Sequence, residues 1–174
     1  MFNLEQILPY EAEVLETFRT IHRHPEPGYC EHKTSALVAE KLRSYGLEPQ
    51  TGIALTGVMA TLDSGKPGKT LLIRADMDAL PIIEESGVDY PSEVPGMMHA
   101  CGHDSHVSML LGAAKYLSEH KDAFSGKVRF LFQPAEEGKT AEMKAKAEAL
   151  GYGLSAGAQV MIAEGVMDGV DGCF

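Results

Sequence analysis

Apolar positions along the chain recur first with a helical period and then in the short runs of buried strands. Residues 4 to 22 place Leu8, Val14, Leu15, Phe18 and Ile21 on one face, which predicts an amphipathic helix. His24-Pro25-Glu26-Pro27-Gly28 ends it, because two prolines and a glycine cannot continue a helix. A second helix is predicted from Glu31 to Tyr45 on Ala36, Leu37, Val38 and Leu42, with Gly46 as its left-handed stop. The period then changes. Gly57 to Leu62 and Thr70 to Arg74 are apolar runs separated by Asp63-Ser64-Gly65-Lys66-Pro67-Gly68, and they read as two strands joined by a turn. Thr70 to Arg74 and a third run, Lys127 to Gln133, carry apolar residues in succession, as strands covered on both faces do. Between them Val107, Leu110, Leu111, Ala114 and Leu117 keep helical spacing, which predicts a buried helix face with Asp104 or Ser105 as its cap. Helices alternating with buried strands predict an α/β sandwich. After Gly138 the composition of Thr140 to Leu150 is helix-rich, Gly151-Tyr152-Gly153 breaks it, and Gly157 to Glu164 reads as one more helix. Val170 to Phe174 reads as the opening of a further strand.

Composition narrows the class. With 174 residues and 44% hydrophobic content, the chain is long enough for one domain with a core of its own. A formal charge of -10 and scattered Lys and Arg residues exclude a nucleic-acid surface. No run is apolar enough to span a membrane, and Met1-Phe2-Asn3-Leu4-Glu5 lacks the start of a signal peptide, so a cytoplasmic setting is expected. Cys30, Cys101 and Cys173 are odd in number and predict no disulfide framework. Cys30 and Cys173 read as small buried hydrophobes.

The chemistry concentrates in Met98-His99-Ala100-Cys101-Gly102-His103-Asp104-Ser105-His106, immediately ahead of the predicted buried helix. A short extended segment puts Cys101 and His103 on one side of the backbone, where a thiolate and an imidazole can grip one divalent ion. His99 and His106 each bond a carbonyl or a ligand residue, or ligate directly. Two acidic pairs follow predicted strands, at Asp76 and Asp78 and at Glu136 and Glu137, and the carboxyl ends of strands are where ligands gather in open α/β sheets. Asp76 and Asp78 can face the same way, although Asp76 would equally cap a turn. Adjacent Glu136 and Glu137 diverge, leaving one to bind a metal and the other to face a water. That division suits metal-assisted hydrolysis. His22, His24, His32 and His120 read as structural or solvated, with His24 a candidate support of the site. Glu84 and Glu85 read as solvated surface, and Met97 and Met98 as packing.

Three blocks carry a family resemblance: Arg74-Ala75-Asp76-Met77-Asp78-Ala79-Leu80-Pro81, Met98 to Asp104, and Phe132-Gln133-Pro134-Ala135-Glu136-Glu137-Gly138. They resemble the signature blocks of the metal-dependent N-acyl-amino-acid amidohydrolases, the group of the hippurate hydrolases, auxin-conjugate hydrolases and N-acetyl-diaminopimelate deacetylases. That group lies in the aminoacylase and carboxypeptidase G metallopeptidase superfamily. His22-Arg23-His24-Pro25-Glu26 is similar to its N-terminal block, and the likeness runs from about residue 10 to the end. The resemblance implies that Cys101, His103 and Glu137 are metal ligands, that Glu136 is the general base acting on water, and that Asp78 orients the site. It implies a pair of manganese, zinc, cobalt or nickel ions, an N-acyl or N-aroyl amino acid as substrate, and a homodimeric or homotetrameric parent. It also implies a mixed sheet flanked by helices, interrupted in full-length members by a lid domain that makes the dimer. Residues 139 to 158 are longer than the family spacing, as an insertion or remodelled loop would be. The family's remaining histidine ligands and the lid would fall beyond Phe174. Residues 1–174 are therefore expected to be the N-terminal part of a catalytic domain with no second domain, incompletely loaded with metal and inactive alone. The rival expectations are a truncated metal-binding or partner-binding module without catalysis, and a dipeptidase or other exopeptidase of the same superfamily.

Overall fold

In the computed structural model, residues 4–137, 145, 148, 149, 151 and 156–174 are described. Among them the elements run α1 (Glu11–Arg23), α2 (His32–Ser44), β1 (Gln50–Ile53), β2 (Gly57–Asp63), β3 (Thr70–Asp76), α3 (His103–Glu119), β4 (Lys127–Gln133), α4 (Gly157–Ala163) and β5 (Gly172–Cys173). The five strands form one sheet in the order β1-β2-β4-β3-β5. β1 with β2 and β2 with β4 are antiparallel, whereas β3 runs parallel to both β4 and β5. The sheet is mixed and flanked by helices, as the family resemblance implies.

β4 lies at the centre because its sequence can be buried on both sides. Val128, Phe130 and Phe132 point into a core shared with Ile21 of α1, Val38 and Leu42 of α2, and Val107 and Leu111 of α3. Leu131 points the other way, toward Leu72, Val160 and Met161 of the α4 side. This alternation is what a period-two strand requires when both faces are covered. The α3 crossover joins β3 to β4, so Asp76 and Gln133 stand level at the same edge of the sheet.

Several expectations change at this level. The runs 57–62 and 70–74 are both strands but do not pair, because β4 lies between them. Gly126 makes that insertion possible: its φ is +85°, and a Cβ there would stand 2.1 Å from the Lys69 carbonyl oxygen. β1 has no apolar alternation to predict it, since Gln50, Thr51 and Gly52 are exposed at the sheet edge. The first helix begins at Glu11 instead of residue 4, with two short 3-10 turns before it, one containing Pro9. Its buried residues are Thr17, Ile21 and His22, while Leu8 and Leu15 are exposed. In α2 the buried positions are Thr34, Val38, Ala39 and Leu42, and Ala36 faces solvent. Neither spare cysteine is a core residue: Cys173 is exposed on the β5 edge and Cys30 is half-buried. Most of the helix predicted over Thr140 to Leu150 lies outside the described residues, whereas α4 and β5 form where the pattern placed them. No helix among the described residues is long and apolar enough to cross a membrane.

Candidate metal centre

The site is assembled around one imidazole. His103 is the first residue of α3, and it is buried. Gly102 precedes it with φ +86°, a left-handed conformation that glycine adopts without a steric penalty. This turn, and not an extended segment, brings the Cys101 sulfur and a ring nitrogen of His103 together. Neither Asp104 nor Ser105 caps the helix, because Gly102 occupies that place.

The Nδ1–H of His103 donates to the Asp78 carbonyl oxygen at 2.9 Å, with the Asp78 carboxylate oxygen Oδ1 3.3 Å away. A proton fixed on Nδ1 leaves the Nε2 lone pair as the free acceptor. Nε2 faces Glu136 and Glu137 oxygens at 3.8 Å each and Asp76 Oδ2 at 3.9 Å. Those separations are too long for hydrogen bonds and close to the ~3.4 Å edge expected between ligands ~2.1 Å from a shared ion. Glu136 and Glu137 thus converge on one nitrogen instead of diverging, and they differ in burial: 41% of the Glu136 side chain is exposed against 19% for Glu137. Glu137 Oε1 is buried with no hydrogen-bond partner of ordinary geometry among the described residues. Cys101, His103 and Glu137 each place one donor atom within 4.8 Å of the others, and so do Asp76, His103 and His106. A thiolate, an imidazole and a carboxylate are a donor set suited to zinc-like divalent ions.

The electrostatics favour a cation here. Burial pushes the His103 imidazole below its ordinary pKa, but the Asp78 and Asp76 charges outweigh this and the net shift is upward. Burial likewise pushes Asp78 up, and the His103 ring with the N–H groups of Glu137 and Glu136 brings it below the ordinary carboxylate value. The Cys101 thiol is pushed up, first by the Glu137 carboxylate beside it and then by burial. Arg74 offsets part of the surplus negative charge through its ion pair with Asp76. Two carboxylates left facing an imidazole with no further cation would repel each other, and a divalent ion removes that repulsion.

Around this centre stand residues whose part the sequence did not disclose. His22, buried on α1, bonds Asp104 at 2.6 Å through Nδ1 and Glu84 at 3.1 Å through Nε2. Burial lowers its pKa, yet the two carboxylates raise it more, and through them His22 links α1, the residue after His103 and the 84–92 segment. Glu84 is therefore turned inward, held by Ser86 and the Ser92 N–H, and not solvated. His24 stays away from the site and bonds the Thr20 carbonyl. His99 is buried, and neither ring nitrogen has a hydrogen-bond partner among the described residues. His106, left open in the sequence between bonding a ligand residue and ligating directly, groups with Asp76 and His103.

A match to the family described as Peptidase family M20/M25/M40 covers residues 72–174, which contain every donor named above. The chain belongs to that family. Among M20 relatives, thermostable carboxypeptidase 2 of Saccharolobus solfataricus is 48% identical over 165 residues, 94% of this chain and 38% of that protein. The N-acyl-L-amino acid amidohydrolase of Geobacillus stearothermophilus is 44% identical over 161 residues, 92% of this chain and 40% of that protein. The crystal structure of a Bacillus subtilis dinuclear metal-binding peptidase of the M20 family superposes with a TM-score of 0.81 at 34% identity, covering 95% of this chain and 42% of that one. The mixed sheet with its helices is thus that of an M20 catalytic domain, in part. The chain spans about two fifths of the length of the curated relatives it matches.

Proposed function

We propose that residues 1–174 are the N-terminal part of the catalytic domain of a metal-dependent amidohydrolase that cleaves the amide bond of N-acyl or N-aroyl amino acids. The observation that carries this reading is the His103 imidazole, locked by Asp78 so that Nε2 faces Glu136 and Glu137 beside the Cys101 thiol. Cys101, His103 and Glu137 would hold an ion, and a divalent cation there polarises the scissile carbonyl and acidifies water. Zinc, manganese, cobalt and nickel all accept this donor set. Glu136, the more exposed of the two glutamates, takes the proton of the attacking water and passes it to the leaving amine. Asp78 contributes from behind: its carbonyl orients His103 and its Oδ2 accepts the Glu137 N–H at 2.8 Å. Three cysteines that form no disulfide, with Cys101 needed as a thiolate, suit a reducing cytoplasm.

Glu136→Gln tests the assignment. It should abolish hydrolysis of N-acetyl and N-benzoyl amino acids while leaving the metal content of the purified protein unchanged. Loss of metal together with activity would mean that the roles of Glu136 and Glu137 are exchanged. The 174-residue chain alone is expected to bind an ion with little turnover, because it offers three donors to that ion; turnover at ordinary enzyme rates would overturn this. The similarity to a carboxypeptidase supports a second reading, an exopeptidase with the same chemistry. Dipeptides and N-acylated peptides in the same substrate panel separate the two.

A further inference from the structure

One buried acid lies outside the chemistry described so far. Glu31 sits on the turn that opens α2 and is completely buried. Its Oε1 accepts the Ala135 N–H at 2.9 Å and its Oε2 accepts the Thr56 hydroxyl at 2.5 Å. Ala135 immediately precedes Glu136. On the far side of Glu136, Asp78 Oδ2 accepts the Glu137 N–H at 2.8 Å. Two buried carboxylates from separate segments of the chain therefore hold the backbone on either side of the candidate general base. What they hold is strained: Ala135 has φ +51°, a conformation that a residue with a Cβ adopts only when its surroundings impose it. The Gly157 N–H closes the third side on the Ala135 carbonyl at 3.0 Å.

Burying a carboxylate is costly unless its oxygens are bonded, and here the partners are two amides, its own and that of Ala135, and one hydroxyl, with no cation. Burial accordingly lifts the Glu31 pKa to about 7, against the opposing pull of Thr56 and the Ala135 N–H. A leucine or glutamine would fill the space at lower cost. The acid's contact with the catalytic loop is the reason to look for a role there.

We infer that Glu31 is a positioning residue: by holding the Ala135 N–H opposite Asp78, it sets the aim of Glu136 and Glu137 at the metal centre. The inference rests on the roles proposed above for those two glutamates.

The test compares Glu31→Ala, Glu31→Gln and a remote core variant, Leu62→Ala, in the full protein. Affinities for Zn2+ and Mn2+ are measured by chelator competition, and amide hydrogen exchange is followed in the metal-free state. Glu31→Ala should weaken metal binding by roughly 10- to 100-fold, the usual effect of losing a partner behind a ligand. Glu31→Gln should stay within about threefold of wild type, because an amide oxygen accepts the Ala135 N–H while its NH2 donates to Thr56. Leu62 is a core residue whose truncation lowers stability without touching the loop, so Leu62→Ala should keep wild-type affinity. Exchange at Glu136 and Glu137 should accelerate in Glu31→Ala alone. If Glu31→Ala binds metal as Leu62→Ala does, the positioning role is overturned and the metal centre stands. If the wild-type protein binds neither ion, the metal reading falls and exchange decides: acceleration at Glu136 and Glu137 upholds the positioning role, and no change overturns it.

Discussion

Glu31 also makes a prediction about stability, and the sign follows from its environment. An ordinary glutamate loses its proton near pH 4.5, whereas the folded Glu31 keeps it to about 7. Between those values the folded state binds more protons than the unfolded one, so the contribution of Glu31 to stability falls as pH rises through that window. At 1.36 kcal/mol per pH unit the loss amounts to ~3 kcal/mol, fully present above pH 7. Glu31→Gln removes the titration, so its stability relative to wild type should improve from pH 5 to pH 7 and level off above that in chemical denaturation. A constant difference across that range would show that Glu31 carries no such penalty. Glu31 could not be singled out from the sequence, since an acid at the start of a helix is ordinary there. One of its hydrogen-bond partners, Ala135, lies 104 positions away. The same holds for His22 and Glu84, joined across 62 positions. By contrast Cys101, His103, Asp78, Glu136 and Glu137 stood in short motifs whose chemistry could be recognised locally, and the fold brings them to one sheet edge. Divergence of the adjacent glutamates was the wrong inference, because it assumed regular backbone. Ala135 in the left-handed region redirects the residues that follow it.

At the scale of elements, the loop over 134–137 is braced by α4 as well as by the strand it leaves. Gly157 opens α4 against Pro134 so closely that an added Cβ would lie 1.7 Å from the Pro134 carbonyl oxygen. Gly157→Ala must therefore move either the helix or the loop, and the expected cost is ~2 kcal/mol or more, typical of an overpacked contact. Gly172→Ala is the matched control, because its Cβ would meet only Leu71 Cδ1 at an ordinary 3.7 Å. That change should stay within ~0.5 kcal/mol. Denaturant midpoints of the two variants check the contrast, and equal midpoints would show that α4 yields freely. Elements are readable where the pattern is strong: α3 has apolar positions at helical spacing, and β3 and β4 carry unbroken apolar runs. β1 was hidden because an exposed edge strand needs no apolar face. Strand order is hidden too, since the turn over 63–68 reads as joining two strands until β4, arriving from beyond α3, takes the place between them.

For the whole molecule, the mixed sheet brings four carboxylates together at the ends of β3 and β4. Asp76, Asp78, Glu136 and Glu137 surround His103, with Arg74 as the partner of Asp76. An ion that binds this arrangement in the folded chain but not in the unfolded one stabilises the fold by mass action. At a free ion concentration 100-fold above Kd the gain is ~2.7 kcal/mol. For a domain of this size that corresponds to a rise in Tm of roughly 5–10 °C. Zn2+ should produce the rise and a chelator should reverse it. Mg2+ should produce much less, because it prefers oxygen ligands over the thiolate and imidazole of Cys101 and His103. Glu137→Gln should lose most of the Zn2+ response, whereas Glu136→Gln should keep it, since the proposed base is not a ligand. A Tm indifferent to Zn2+ and chelator in the wild-type protein would mean that the cluster's charges are balanced without an ion. Equal responses in the two glutamine variants would mean that both glutamates share in holding it.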